Sequence, residues 1–309
     1  MSTSFSPSTS SSDAFPSTSA QSPSAETKST TMSPTPQDKP PYIEARKFTT
    51  IADAKKGIDW QIERLMNGTS RSQYIMFRPV SESDFAILDK SRYDSRRMIP
   101  KSARLSYDTD TSSLIVKLMP STCHEQAHRL LEGRMVVKIE SFGEAASSTF
   151  MVPGAKGCEG KSSSKEPDSS YKPRSRGQEG WPTMIIESGW SESLAQLRCD
   201  ASWWLVNSLG KVHIALIISL HQDDRTIVIE TWEMSQPDEA RRVTRSNAQQ
   251  VPTRTQEISI TKDAVQGAPL VLEFVKVFER AAVPPEGDIV FSAQELLVWA
   301  EKVWWEEKP

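Results

Sequence analysis

WPTMIIESGWSESLAQLRCDASWWLVNSLGKVHIALIIS, residues 181–219, decides the fold class. PTMIIE, 182–187, is a short apolar run with the length and composition of a buried strand. In the next twenty residues, Leu194, Leu197, Ala201, Trp204 and Leu205 fall on one arc at ~100° per residue. That predicts a helix over 191–210, ending at Gly210. KVHIALIISL, 211–220, is apolar on both faces, which a strand needs when it lies in the middle of a sheet. Strand, helix and strand in succession predict an α/β core, a central mixed sheet with helices on both faces.

The flanking text extends that core. Upstream, Ile51, Ala54, Ile58, Ile62 and Leu65 mark one face of a helix over 51–66, and YIMFR, 74–78, reads as a strand. Residues 103–107 and 113–119 read as a hairpin around the polar turn DTDTS. A helix over 123–132 is expected to stop at Gly133, with MVVKIESF, 135–142, as another strand. From 143 to 180 Gly, Ser, Lys and Pro dominate, which predicts a long surface loop inserted in the core. Downstream, TIVIETWE, 226–233, is a strand and 235–256 is polar, basic and loop-like. QEISITK and PLVLEFVKVF read as further strands. Ser292 and Glu295 form a capping box that opens a last helix through Leu296, Leu297, Ala300, Val303 and Trp304.

Composition bounds the rest. The chain has 309 residues, 25% of them charged, with a net charge of −3. A hydrophobic fraction of 37% is low for a chain folded throughout. Residues 1–40 account for much of this: 26 of them are Ser, Thr or Pro. Such a segment buries too little surface to offset its ordering entropy, so a disordered tail is expected there. Residues 41–309 are then one domain, with its core at about 105–235 and C-terminal strands and a helix over 256–306. No run approaches the ~20 apolar residues of a membrane span, and none is expected. The near-neutral charge argues against a strongly basic nucleic-acid binder but permits a local basic groove. Cys123, Cys158 and Cys199 form neither a disulfide framework nor a zinc pattern, which points to a reducing, intracellular compartment, cytoplasm or nucleus.

Two carboxylates stand out. Asp168 follows Pro167, and Glu187 sits inside the apolar run Ile185-Ile186-Glu187. An ionised Glu in an apolar strand is costly unless it is paired or bound to a metal. A carboxylate at a strand start and another inside a neighbouring strand can converge on one hard cation such as Mg²⁺. A metal held that way activates water and stabilises the leaving oxygen of a phosphodiester.

The order of three stretches resembles the PD-(D/E)xK nuclease superfamily, in particular its branch of restriction endonuclease-like proteins with uncharacterised fungal relatives. The stretches are SLIVKLMPSTCHEQAHRLL (113–131), EPDSSYKP (166–173) and 181–219. The resemblance implies a restriction-endonuclease-like fold and Mg²⁺- or Mn²⁺-dependent hydrolysis of nucleic acid. It assigns Asp168 and Glu187 as metal ligands and catalytic acids. The superfamily's lysine would stand two residues after the acid, where this chain has Gly189. In the resembling branch that charge often comes from the following helix, which makes Arg198 the candidate. Arginine stays protonated, so Arg198 could neutralise phosphate charge but not act as a base. A catalytically inactive nuclease fold that binds nucleic acid or protein is the alternative.

Other features have readings of their own. Lys172, Arg174 and Arg176 beside Asp168, and Arg92, Arg96, Arg97, Lys101 and Arg104, are either solvated charges or a phosphate-steering surface. His124-Glu125-Gln126-Ala127-His128 matches the H-E-x-x-H motif of zinc metalloproteases, with Glu140 or Glu144 as a third ligand. Arg129 and the placement just after Pro120 weigh against it, leaving two histidines on a half-exposed first turn as the plainer expectation.

Overall fold

The computed structural model describes residues 43, 45–94, 97–118, 122–190, 193–235 and 250–305. The chain divides into two units, Met1–Pro36 and Gln37–Pro309, and every described residue belongs to the second. The Ser/Thr/Pro-rich tail expected over 1–40 lies outside the described residues.

The elements in chain order are β1 (Ala45–Lys47), α1 (Ile51–Met66), β2 (Tyr74–Arg78), α2 (Glu82–Ser91), β3 (Arg104–Asp108), β4 (Ser113–Lys117), α3 (Thr122–Ser141) and α4 (Glu144–Ser147). The short strands β5 (Phe150–Met151), β6 (Cys158–Glu159), β7 (Ser163–Lys165) and β8 (Ser169–Pro173) follow. Then come β9 (Met184–Trp190), α5 (Leu194–Asn207), β10 (Ile214–His221), β11 (Thr226–Met234), β12 (Pro252–Ile260) and β13 (Val265–Gln266). The chain closes with β14 (Leu270–Leu272), α6 (Phe274–Phe278), β15 (Ile289–Phe291) and α7 (Ala293–Val303).

Among the described residues, one mixed sheet runs β1-β2-β4-β3-β7-β6, a second runs β13-β12-β11-β10-β9-β8-β5, and β14 pairs with β15. The fold is mixed α/β, with helices packed on the sheets. In the second sheet β9 and β10 are parallel and α5 connects them, while β8 and β11 run antiparallel on either side. Strand β10 stands in the middle, and Ile214–Leu220 is buried throughout, as a strand covered on both faces requires.

Helices fill the two faces of this second sheet. On one, α3 and α7 cover Met184, Ile186, Ile214, Leu216 and Ile218. On the other, the predicted arc of α5, Leu197, Ala201, Trp204 and Leu205, packs on Ile185, Ala215 and Ile217. Around the first sheet a separate core joins Ala54 and Ile58 of α1 and Leu88 of α2 to Ile75, Phe77, Leu105, Leu114 and Val116.

The structure corrects four expectations. Gly133 does not stop α3, and 135–142 is not a strand. Ala127, Leu131, Met135 and Ile139 repeat every fourth residue and all are buried, so one apolar stripe runs past the glycine. That burial outweighs the ~1 kcal/mol a mid-helix glycine costs. Second, 143–180 is not a long loop: it holds α4 and β5–β8, strands too short to carry a sequence period. Third, PLVLEFVKVF is a strand only to Leu272. Phe274, Val277 and Phe278 then bury one face of α6, and Asp288 caps the Phe274 N–H at 2.8 Å. Fourth, the polar stretch 235–256 ends in β12, which begins at Pro252; residues 236–249 lie outside the described residues.

Candidate functional site

The inserted segment joins the two sheets at one place. Strand β7 adds to the first sheet beside β3, and β8 adds to the second beside β9. Asp168 lies between them, immediately before β8. Alternation along β8 puts Asp168 on the face of Ser170 and Lys172, while Ser169 and Tyr171 face α3. Along β9, Glu187 shares the α5 face with Ile185 and Gly189.

The first sheet supplies cations to the same point. Lys117 ends β4 and pairs across with Tyr74 of β2 and Arg104 of β3. Directly opposed residues project from the same face, and so does Lys165, whose partner Ser106 lies two residues from Arg104. This face meets the start of β8 and the second half of β9.

The resulting centre is almost closed to solvent. Glu187 is 0% exposed, Asp168 1% and Lys117 3%. The Lys117 ammonium donates to Asp168 Oδ2 and to Glu187 Oε2, at 2.8 Å each. The two carboxylate oxygens therefore lie within twice that distance of each other. Ser188 donates to Asp168 Oδ2 through its backbone N–H at 2.8 Å and its hydroxyl at 3.2 Å. Trp204 of α5 donates its indole N–H to Glu187 Oε1 at 2.8 Å. Asp168 Oδ1 accepts no hydrogen bond among the described residues, with Arg104 Nε 3.7 Å away.

A second set of charges adjoins it. Lys165 Nζ lies 2.9 Å from Asp200 Oδ1, and the Tyr74 hydroxyl donates to Asp200 Oδ2 at 3.1 Å. The cations Arg104, Lys117 and Lys165 thus balance the anions Asp168, Glu187 and Asp200. A small cavity of about 10 Å³ reaches this group beside Tyr74, Arg104, Lys117 and Lys165. It has room for about one water.

The electrostatics follow from burial against pairing. Burial raises the Asp168 carboxyl, but the Lys117 charge outweighs it, with Arg104 adding to it, and Asp168 ends well below its ordinary range. Glu187 goes the other way: burial raises it, and Lys117 only partly opposes that. Two carboxylates sharing one ammonium are thus driven apart. Burial lowers the Lys117 amine, yet Asp168, Glu187 and Asp200 lift it above its ordinary value, so it stays charged.

The structure brings Asp168 and Glu187 together and leaves Arg198 elsewhere. Arg198 grips the buried Glu230 of β11 with Nε at 3.1 Å and Nη2 at 2.7 Å, beside Arg254 and Trp232. On α5, Arg198 and Asp200 flank the apolar arc on opposite edges, and it is the Asp200 edge that faces Lys117. The cation between the two acids is Lys117, and Arg198 lies against Glu230 instead. The signal for it was in the sequence: Lys117 ends the apolar run SLIVK, the same anomaly that marked Glu187. Gly189 has a steric reason as well. A Cβ there would meet Gln73 Oε1 at 3.0 Å and the Leu197 methyls at 3.1 and 3.3 Å. Any side chain at 189 therefore crowds the ends of Gln73 and Leu197, which must shift to admit it.

The two histidines of the H-E-x-x-H motif are buried, contrary to the half-exposed turn expected for them, while Glu125 is part exposed. Both histidines are 0% exposed. His124 Nε2 meets the Ser188 carbonyl at 2.6 Å, and burial holds its pKa down to about 3, so it donates as neutral imidazole. His128 Nδ1 meets Ser169 Oγ at 2.9 Å, and Ser169 and Tyr171 both donate to Glu132. The motif fastens α3 to β8 and β9. No group of three or more His, Cys, Asp or Glu placed to hold a metal occurs among the described residues.

The basic clusters divide: Arg97, Lys101 and Arg174 are exposed, while others turn inward. Arg92 is buried against Glu166 and Asp89, Arg176 pairs with Glu279, and Lys172 is buried on two backbone carbonyls. Arg96 lies outside the described residues. Among them no helix is long and apolar enough to cross a membrane.

No family model matches the sequence, and no curated protein is similar to it. Among solved structures, the chain is similar to a candidate nuclease belonging to DUF820 from Anabaena variabilis ATCC 29413. The TM-score is 0.39 and the identity 15%, over 72% of this chain and 99% of that one. At that level the likeness says nothing of the chemistry around Lys117.

Proposed function

We propose that the protein hydrolyses phosphodiester bonds of nucleic acid with a divalent cation, Mg²⁺ or Mn²⁺, and that Lys117 takes the place of the lysine absent at Gly189. One observation carries this reading: Lys117 Nζ lies 2.8 Å from both Asp168 and Glu187. Two acids can hold a hard cation and a charged lysine can neutralise phosphate, which is chemistry that phosphodiester hydrolysis can use. Asp168 and Glu187 would hold the metal. The fit is supported by their convergence on one cation and by Asp168 Oδ1, a buried acceptor without a hydrogen bond among the described residues. Two carboxylates suffice for Mg²⁺, which keeps several waters and takes phosphate oxygens as further ligands. When bound, the metal supplies Lewis acidity that activates water and stabilises a leaving oxygen.

The chain's own groups have defined parts in this reading. Lys117 remains protonated, so it neutralises phosphate charge and does not act as a base. Arg104 and Lys165, at the mouth beside it, attract the phosphate. Trp204 and Ser188 fix the carboxylates by hydrogen bonds, which keeps them oriented.

A second reading is a nuclease-like α/β fold that binds without cutting. The burial of the centre and its internal charge balance favour it, because substrate reaches Asp168 and Glu187 only if Lys117 and its neighbours move. A cleavage assay separates the two. Plasmid, single-stranded DNA and RNA are incubated with Mg²⁺, Mn²⁺ or EDTA, and wild type is compared with Glu187→Gln and Asp168→Asn. Metal-dependent cutting lost in both variants, each folded by circular dichroism, supports hydrolysis. Absence of cutting by folded wild type on all three substrates sinks it in favour of binding alone.

A further inference from the structure

Five basic side chains are buried among the described residues: Arg92, Arg104, Lys117, Lys165 and Lys172. Four of them have a carboxylate within 4 Å: Glu166 and Asp89 for Arg92, Asp168 for Arg104, Asp168 and Glu187 for Lys117, Asp200 for Lys165. Lys172, 5% exposed, has none among the described residues. Its ammonium donates to the carbonyls of Gln178 and Gly180, at 2.8 Å each. An ammonium carries three donors, so one remains, and its direct partners among the described residues are two carbonyl dipoles. Burial, with Lys156 nearby, holds its pKa below the ordinary value. A buried cation without an anion is costly, and chains keep such groups where something completes them.

Lys172 also lines a cavity of about 340 Å³, further along the same face of β8 as Asp168. That volume falls in the lower range of small-molecule sites. Trp181, Pro153 and Pro182 give it an apolar wall. The wall is held in place from behind: the Arg176 guanidinium donates to the carbonyls of Trp181 and Pro182 and pairs with Glu279, while Trp181 packs on Trp203 and Trp204. Neither carboxylate of the cavity pairs directly with Lys172, although Glu179 acts on its charge from a distance. Glu179 pairs with Lys156 at 2.8 Å, and Glu159 is exposed.

We propose that this cavity binds a small ring-bearing organic anion, its phosphate or carboxylate group completing Lys172 and its ring lying against Trp181 and the two prolines. The site stands apart from the Lys117 centre and does not depend on hydrolysis there.

Isothermal titration calorimetry of the full chain tests it with AMP, benzoate, adenosine and inorganic phosphate. AMP carries phosphate on a ring, benzoate a carboxylate on a ring, adenosine the ring without the anion, and inorganic phosphate the anion without the ring. AMP or benzoate is expected to bind at least about tenfold more tightly than adenosine and inorganic phosphate. Lys172→Met abolishes that binding and Lys172→Arg retains it; Trp181→Leu weakens it. Thermal melts confirm that the variants are folded, and the AMP–adenosine contrast in wild type needs no variant. Preference for AMP alone or benzoate alone identifies which anion the site takes. Equal binding of adenosine and AMP without benzoate binding, unchanged binding in folded Lys172→Met, or no binding of either ring-bearing anion overturns the proposal.

Discussion

Lys117 and Glu187 stand 70 residues apart in the chain and in different sheets, yet the ammonium of one lies 2.8 Å from the carboxylate of the other. Asp168 closes the triangle from the segment that crosses between the sheets. Removing the lysine leaves two buried acids with no ammonium between them. Lys117→Met is expected to lose about 3–5 kcal/mol of stability at pH 7. The sign with pH is fixed by the carboxyls. Without Lys117 both are pushed above their unfolded values, so the variant is relatively stabilised below that range and loses stability as pH rises through the folded pKa values. Wild-type Asp168 behaves oppositely: its depressed pKa contributes stability above the ordinary carboxylate range and loses it in acid. Urea denaturation at pH 5 and pH 7 checks this, and a deficit that is larger at pH 5 would contradict it.

Gly189 is held by the packing of α5. A methyl there crowds Gln73 Oε1 and Leu197, so Gly189→Ala is expected to cost about 1–3 kcal/mol as overpacking. Gly189→Lys, which writes the usual superfamily spacing back into the strand, is expected to destabilise further and to add no cleavage. Chemical denaturation beside the nuclease assay measures both; a stable, more active lysine variant would contradict the assignment of Lys117.

Arg198 serves Glu230. Arg198→Met removes a bidentate charge-assisted pair from a buried carboxylate that keeps Arg254 and Trp232. A loss of about 1.5–3 kcal/mol is expected, with any cleavage per folded molecule unchanged. Selective loss of cleavage at full stability would return Arg198 to the catalytic set.

The continuity of α3 has its own test. A Cβ at Gly133 would meet nothing within 4 Å. Gly133→Ala is therefore expected to raise stability by about 0.5–1 kcal/mol through helix propensity alone. A strand beginning at Met135 would gain nothing from that change.

Much of the architecture was legible because it rests on local periods. Helix α1 and strand β2 coincide with the expected 51–66 and 74–78, and the Ser292–Glu295 capping box is present on both sides, with Ser292 N–H donating to Glu295 at 2.8 Å. Where a local signal opposed a longer one, the longer one won: Gly133 against the stripe Ala127–Ile139. The strands of 143–180 left no signal because two to five residues cannot show a period of two, and their partners are remote in sequence.

For the site, an ionisable residue in an apolar strand marked Glu187; Lys117 carried the same signal without being singled out, and the two are buried and ion-paired. Helix α5 presented two polar edges, Arg198 and Asp200, and the periodicity of its apolar face could not distinguish them. By itself the sequence determined α1, α5, the last helix, the long strands β9 to β11 and the need of Glu187 for a partner, since these follow from side-chain chemistry and spacing along the chain. Only the tertiary structure decided which charges met. β7 joins one sheet and β8 the other, and that crossing sets Lys117 of β4 against Asp168 and Glu187.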